Sequence, residues 1–224
     1  MSTHSATANP IDDNNTHHTP EITRISIDHD GDLVFRVGEE LGEPAMEFLV
    51  CSSTLRRVSP VFKRMLFGAY GEAQRGERAK QTGEEWVVVL PEDDPTALLV
   101  LLGIAHSIFE HVPAAPDVNV VYQIMLLVNK YDMAGVVRPW ATAWRAIAET
   151  ASSSKKLDDR AKALYIALIL GAAALCLKLA TDLALDAVLD GQGRLLIGGG
   201  RQFGGFSCFG PFRIEGKVKF NLRF

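Results

Sequence analysis

The sequence predicts an α+β protein with a small, mainly three-stranded sheet, a cluster of short flanking helices and a C-terminal helical extension. Three observations support this class. Two short apolar runs, at 33–37 and 46–51, are typical of strands, and the first alternates. Pairs such as Ser59-Pro60 and Asp94-Pro95 precede apolar residues at helical spacing. A long apolar run begins near residue 163.

Length and composition suit one domain with tails, or two small domains. A chain of 224 residues can bury a core without metals or disulfides. The formal net charge of −4 indicates neither a nucleic-acid-binding nor a membrane-surface protein. Three widely spaced cysteines (Cys51, Cys176 and Cys208) favour reduced thiols in an intracellular protein of the cytoplasm or nucleus. No secretory signal is expected, because no apolar run follows a charged start.

Residues 1–27 are rich in polar residues and predict a disordered tail. His4, His17 and His18 are candidate metal ligands there, but a tail offers no rigid geometry. No metal is therefore predicted.

The first structured elements are a predicted hairpin and two helices. Gly42 and Pro44 mark the turn between the two strand runs. Ser52 or Ser53 is predicted to cap the first helix, because a Ser oxygen accepts from the opening N–H groups. Ser59 is predicted to cap the second helix.

The stretch 71–85 is polar and contains glycine, which predicts a mobile loop. The apolar run Trp86–Leu90 predicts a strand that is covered on both faces. Further helices are expected after Asp94, after Asp117 and around Pro139.

Two strings give the chain a family resemblance. The strand followed by F-x6-L-x3-S-x2-F-x2-M-L at 48–66 and the string L-V-N-K-Y-D-M at 127–133 resemble the signatures of the BTB/POZ domain. The resemblance covers residues 28–149 and is nearest to stand-alone BTB proteins of filamentous fungi, which share Arg-Pro-Trp-Ala at 138–141. It implies the BTB/POZ fold.

The resemblance also implies a function and an interaction surface. BTB domains self-associate or recruit partners through helix faces and a strand edge. Asp32 resembles the family's first-strand Asp near the dimer surface, whereas Ser52 stands where a basic residue would accompany it. Cys51 stands where the family often has His. Cys51 at a helix start is either a reactive thiol or, as we favour, a structural cysteine.

We therefore expect a protein–protein interaction module that binds itself or an unidentified protein partner. One alternative is an adaptor that brings substrates to cullin ubiquitin ligases. Another is a nucleic-acid-associated protein that uses the tail 191–224, where six Arg or Lys and six Phe accompany one acid from residue 194 onwards. A poorly packed tail with a weak hairpin at 212–224 is the favoured interpretation of that segment.

Catalytic motifs fail on spacing, so no enzyme activity and no cofactor are predicted. The string G-F-S-C-F-G at 205–210 places its second Gly too late for a nucleophile elbow. Asp93 and Asp94 are candidates for an acid–base pair, but a helix cap explains them more simply.

Residues 150–190 predict a helical extension. The fifteen apolar residues of 163–177 are fewer than a membrane span needs. Lys178, Asp182 and Asp186 then continue the helical pattern. We expect a buried helix that continues to about Leu189, with a membrane anchor as the alternative.

Overall fold

The computed structural model describes residues 22–42, 44–189, 195–197 and 201–202. A four-stranded sheet is formed by β1 Thr23–Ser26, β2 Leu33–Val37, β3 Met46–Val50 and β4 Val87–Leu90. The helices are α1 Ser52–Val58, α2 Pro60–Phe67, α3 Gly71–Thr82, α4 Pro95–Ala105, α5 Val118–Lys130, α6 Ala141–Ala151, α7 Leu157–Ile169 and α8 Ala173–Leu185. Short 3₁₀ turns occur at Phe109–His111 and Arg138–Trp140. The α+β class is confirmed.

The sheet is mixed, with the order β1-β3-β2-β4. The predicted hairpin is confirmed, since β2 and β3 pair antiparallel with Phe35 opposite Phe48. β1 runs parallel to β3, and β4 runs parallel to β2. The sheet therefore has four strands where mainly three were expected.

The extra strand, β1, corrects the predicted boundary of the N-terminal tail. Residues 23–26 were expected to belong to a disordered segment of 1–27, but they pair with β3. Ile27 is buried at the end of this strand, and Arg24 binds Glu47 of β3. Burial and ion pairing thus offset the ordering cost of these few residues. Residues 1–21 lie outside the described part of the chain.

β4 is an edge strand, which differs from the expected coverage on both faces. Val88 and Leu90 are buried, whereas the Val89 side chain is 39% exposed. Only one face of β4 is therefore fully buried.

The stretch predicted as a mobile loop, 71–85, is mostly the helix α3. Small residues at Ala73, Gly76 and Ala79 form its buried side, and Gly76 lies against the Trp86 ring. The loop prediction was wrong because this helix depends on a close contact with Trp86, not on an apolar stripe.

Three predicted helix starts are confirmed by hydrogen bonds from backbone N–H groups to the capping side chains. The capping residues are Ser59 for α2, Asp94 for α4 and Asp117 for α5.

The C-terminal extension is a pair of helices and not one helix to Leu189. α7 ends just before Gly171, which adopts the left-handed conformation (φ 67°) that favours glycine after a helix end. α7 packs on α5, α6 and α8. None of the helices in the described part of the chain combines the length and the apolar character that a membrane span requires.

Beyond α8, three short strands form a second, antiparallel sheet; the first lies at the end of the segment predicted as a helical extension, and the other two lie in the segment predicted as a tail. They are β5 Ala187–Leu189, β6 Leu195–Ile197 and β7 Arg201–Gln202. The predicted hairpin at 212–224 is not among the described residues.

One hydrophobic core joins the sheet to the helices, including α7 and α8. An aromatic column lies in its centre, where the Phe62 ring stacks on Phe35 (5.4 Å between centroids) and on Tyr131 (4.2 Å). The largest fully buried side chains are Trp144, Tyr131, Tyr165, Phe35, Phe48 and Phe62.

Candidate interaction surface

The three residues predicted at the interaction surface are brought together between β2 and α1. Asp32 precedes β2, and its Oδ1 accepts from the Ser52 N–H at 2.7 Å. Its Oδ2 accepts from the Ser52 hydroxyl, also at 2.7 Å. Cys51 is half-buried beside Ser52, and its thiol is free.

This geometry shows that the predicted cap of α1 was wrong. Ser52 is the first helical residue and is 1% exposed, whereas Cys51 is at the N-cap position and makes no side-chain cap bond. Asp32 supplies the acceptor instead, from 20 residues earlier in the chain. No local sequence pattern predicts this contact, because a cap from a residue far away in the chain has no fixed spacing.

His106 was not predicted to lie at this surface. It binds the backbone of Cys51, the residue before Ser52. The Cys51 N–H donates to His106 Nε2 at 3.1 Å, and His106 Nδ1 lies 2.9 Å from the Leu102 carbonyl oxygen. The two contacts together assign the proton of the neutral ring to Nδ1, because a carbonyl oxygen only accepts. His106 is also the C-cap residue of α4.

The face of the sheet that carries Glu47 has a network of charged side chains across the strands. Glu47 of β3 accepts from Arg24 of β1 at 2.9 Å and from Arg36 of β2 at 2.8 Å. The same Arg24 guanidinium makes a bidentate contact with the Glu85 carboxylate, with both hydrogen bonds 2.8 Å long. Burial opposes the ionisation of Glu47, but the hydrogen bonds from Arg36 and Arg24 outweigh it and lower its pKa.

Both outer strands of the sheet leave peptide groups facing away from it. Just after β1, the Ile27 N–H donates to the Leu49 carbonyl oxygen at 3.0 Å. Because peptide groups alternate in direction along a strand, those of Arg24 and Ser26 face outwards. β1 is mostly exposed, so this edge is accessible.

The same reasoning applies to β4. The carbonyl oxygens of Trp86 and Leu90 accept from the N–H groups of Val34 in β2 and of Gly38, just after β2, at 2.8 and 3.1 Å. The peptide groups of Val87 and Val89 therefore face away from β2. In the part of the chain that the structure describes, no strand pairs with this edge.

The two neighbouring acids after β4 have separate structural roles. Asp94 caps α4 by accepting from the Ala97 N–H at 2.7 Å. Asp93 is buried and accepts from Lys130 Nζ at 2.5 Å and from the Tyr131 hydroxyl. Burial, together with the Asp93 carboxylate, raises the pKa of Tyr131 well above its usual range. Tyr131 therefore stays a proton donor to Asp93.

An open groove of about 570 Å³ lies beside this cluster, lined by Leu41, Asp93 and one side of α5. Within residues 22–189, Asp93 is held by two donors, which fits a structural role. The described residues contain no group of three or more His, Cys, Asp or Glu placed to hold a metal ion. His4, His17 and His18 lie outside them.

Compared with models of known protein families, the chain matches none. A search among curated proteins likewise finds no similar sequence.

Proposed function

We propose that this chain is a non-catalytic protein–protein interaction module of the BTB/POZ type. It associates with itself or recruits a partner protein through an edge of its sheet. The observation that carries the proposal is the open edge of β1, where the peptide groups of Arg24 and Ser26 face outwards. An exposed edge with unpaired N–H and C=O groups is a template for a strand of another chain.

The packing of the two BTB-like strings supports the assignment to this type. Ser59, from the first string, donates its hydroxyl proton to the carbonyl oxygen of Tyr131, from the second. The Phe62 ring then stacks on the Tyr131 ring. The residues that carry the resemblance are therefore parts of one packed unit.

The contact between Asp32 and Ser52 favours the strand edge over a charged pair as the means of association. Both Asp32 oxygens already accept hydrogen bonds within the chain. A cation from a second copy would have to share an occupied carboxylate. The backbone of β1 carries no such competing contact on its outer side in the described residues.

The proposal is tested with the substitution Ser26→Pro in the full chain. Proline removes an N–H that faces outwards, so it blocks strand addition without removing a bond to β3. Ser26→Ala keeps that N–H and serves as the matched control. Sedimentation velocity over a concentration series measures self-association, and affinity capture followed by mass spectrometry identifies partners.

We expect Ser26→Pro to weaken self-association, or to lose a specific partner, while Ser26→Ala behaves like the parent chain. Thermal unfolding of both variants checks that the fold is retained. The edge proposal fails if a folded Ser26→Pro variant keeps the same oligomeric state and the same captured proteins. If the captured partner is a cullin, bound through its N-terminal region, the chain is a component of a ubiquitin ligase.

A further inference from the structure

The exposed side of α1 and α2 carries an unbalanced positive charge. Four basic residues form this basic patch, and all are exposed; they are Arg56, Arg57, Lys63 and Arg64. No Asp or Glu occurs between Glu47 and Glu72 in the sequence. Within the described part of the chain, none of the four basic side chains forms an ion pair. The basic patch therefore offers its charge to a carboxylate from another molecule.

An aromatic ring connects the basic side chains of the two helices. The Arg56 Cζ atom lies 5.1 Å from the centre of the Phe67 ring, at the end of α2. Lys63 and Arg64 precede Phe67 by four and three positions, so these three residues share one side of α2. Arg56 therefore lies beside Lys63 and Arg64, although it belongs to another helix. Its position over the ring leaves the guanidinium N–H groups able to donate to an anion.

An open groove of about 370 Å³ lies next to the basic patch, between α2 and α3. Its apolar lining is supplied by Leu66, Phe67 and Ala73. Phe67 thus belongs both to the groove and to the contact with Arg56. The acid on the α3 side of the groove, Glu77, is paired with Lys80 at 3.5 Å. The groove therefore offers an apolar surface directly beside the basic patch.

We propose that the basic patch and this groove together bind an acidic segment of a partner protein. Carboxylates of the segment bind Arg56, Lys63 and Arg64, and an apolar side chain enters the groove beside Phe67. An apolar anchor with polar contacts around it is the usual arrangement of a protein interface. The surface belongs to α1, α2 and α3, so the inference does not depend on the function proposed for the edge of β1.

The charge of the whole chain favours an acidic protein segment over a nucleic acid. A nucleic acid is charged along its entire length, so its field also meets the rest of the protein. The formal net charge is −4 even with the basic patch included, so the remainder of the chain repels a long polyanion. A short acidic segment meets mainly the patch, because salt at 0.1 M screens exposed charges over about 10 Å.

Selection from a library of random peptides, with the full chain as the target, tests the proposal although the partner is unidentified. We expect the enriched peptides to be rich in Asp and Glu and to share one apolar residue. Fluorescence anisotropy then measures the affinity of the most enriched peptide. The double variant Lys63→Glu/Arg64→Glu should weaken this affinity at least about tenfold, because two attractive charges become repulsive.

The matched control is Lys155→Glu/Lys156→Glu, which makes the same change of net charge at two exposed lysines before α7. It should bind the peptide as tightly as the parent chain does. Ser26→Pro should also leave the affinity unchanged, which separates this surface from the edge of β1. Thermal unfolding checks that all of these variants retain the fold.

Enriched peptides without an excess of acidic residues would overturn the proposal. Equal affinities of a folded Lys63→Glu/Arg64→Glu variant and of the control would do the same. Mapping of chemical shifts by NMR needs no substitution, and the bound peptide should move the amide signals of Arg56, Arg64 and Phe67. Shifts confined to other elements would contradict the assigned surface. Single-stranded RNA that displaces the peptide more strongly than unlabelled peptide would assign the patch to a nucleic acid and overturn the acidic partner.

Discussion

The Ser59 hydroxyl donates to the Tyr131 carbonyl oxygen at 2.6 Å, across 72 positions of the chain. The same hydroxyl oxygen accepts from the Phe62 N–H at 2.9 Å, which caps α2. One buried side chain thus starts a helix and fastens it to the end of α5. The Tyr131 side chain extends the connection to Asp93, before α4.

Ser59→Ala should destabilise the fold by about 2–4 kcal/mol. The change removes a helix cap, worth about 1 kcal/mol, and leaves a buried carbonyl oxygen without its donor, at a cost of about 1–3 kcal/mol. Urea denaturation followed by circular dichroism measures the loss. Ser53→Ala is the matched control, because Ser53 is exposed and should change stability by less than about 0.5 kcal/mol. Equal effects at the two positions would contradict the proposed role of Ser59.

Tyr131→Phe should also destabilise the protein, by about 1–3 kcal/mol. The variant keeps the ring that stacks on Phe62 but removes the hydroxyl that donates to the buried Asp93 carboxylate. Lys130 then remains as a partner of Asp93. The control is Tyr70→Phe, since the Tyr70 side chain is 58% exposed. A loss of stability no larger than in the control would argue against the buried hydrogen bond.

The packing of α3 predicts an unusual effect of a Gly→Ala substitution on stability. In an ordinary helix interior, Gly→Ala stabilises by about 0.5–1 kcal/mol. At Gly76, however, an added Cβ would lie 2.6–2.9 Å from three ring atoms of Trp86. Gly76→Ala should therefore destabilise the protein, by about 1–3 kcal/mol for an overpacked site. It should also shift the fluorescence of Trp86, which donates its Nε1–H to the Glu72 carbonyl oxygen.

Gly71→Ala is the control for this substitution. Gly71 belongs to the same helix, and no atom lies within 4 Å of its added Cβ. We expect Gly71→Ala to be neutral or slightly stabilising in thermal unfolding. If the two alanine variants behaved alike, α3 would not pack on Trp86 as described.

The elements predicted correctly are those whose signals are local in the sequence. Ser59-Pro60 and Asp94-Pro95 fix helix starts through the capping side chain and the proline beside it, so neighbouring residues suffice. The alternation of 33–37 defines a strand for the same reason. The meeting of Cys51 and Ser52 with Asp32 was expected only from the family resemblance.

The features that were missed depend on contacts between distant positions. α3 has no apolar stripe, and its small residues become a packing surface only because Trp86 folds back onto them. Asp32 caps α1 from another element, so no spacing rule reveals it. β1 is too short and polar to be predicted alone, and it is held by the ion pairs of Arg24.

The charged network on the sheet makes the stability depend on pH in a defined direction. Glu47 is 8% exposed, and Arg36 and Arg24 lower its pKa below the usual value of about 4.3. A carboxyl with a depressed pKa in the folded state stabilises the fold above its unfolded pKa. That contribution is lost as the pH falls through the lower, folded value.

Glu47→Gln should therefore cost about 1–2 kcal/mol at neutral pH, because it removes the charge from hydrogen bonds to two guanidinium groups. The difference in unfolding free energy between parent and variant should shrink as the pH falls below about 4. Urea denaturation at a series of pH values measures both curves. Glu85→Gln, at a side chain that is about half exposed, should cost less, since an exposed ion pair contributes little. Parallel pH curves for the parent chain and Glu47→Gln would show that Glu47 does not hold β1 and β2 to β3 through its charge.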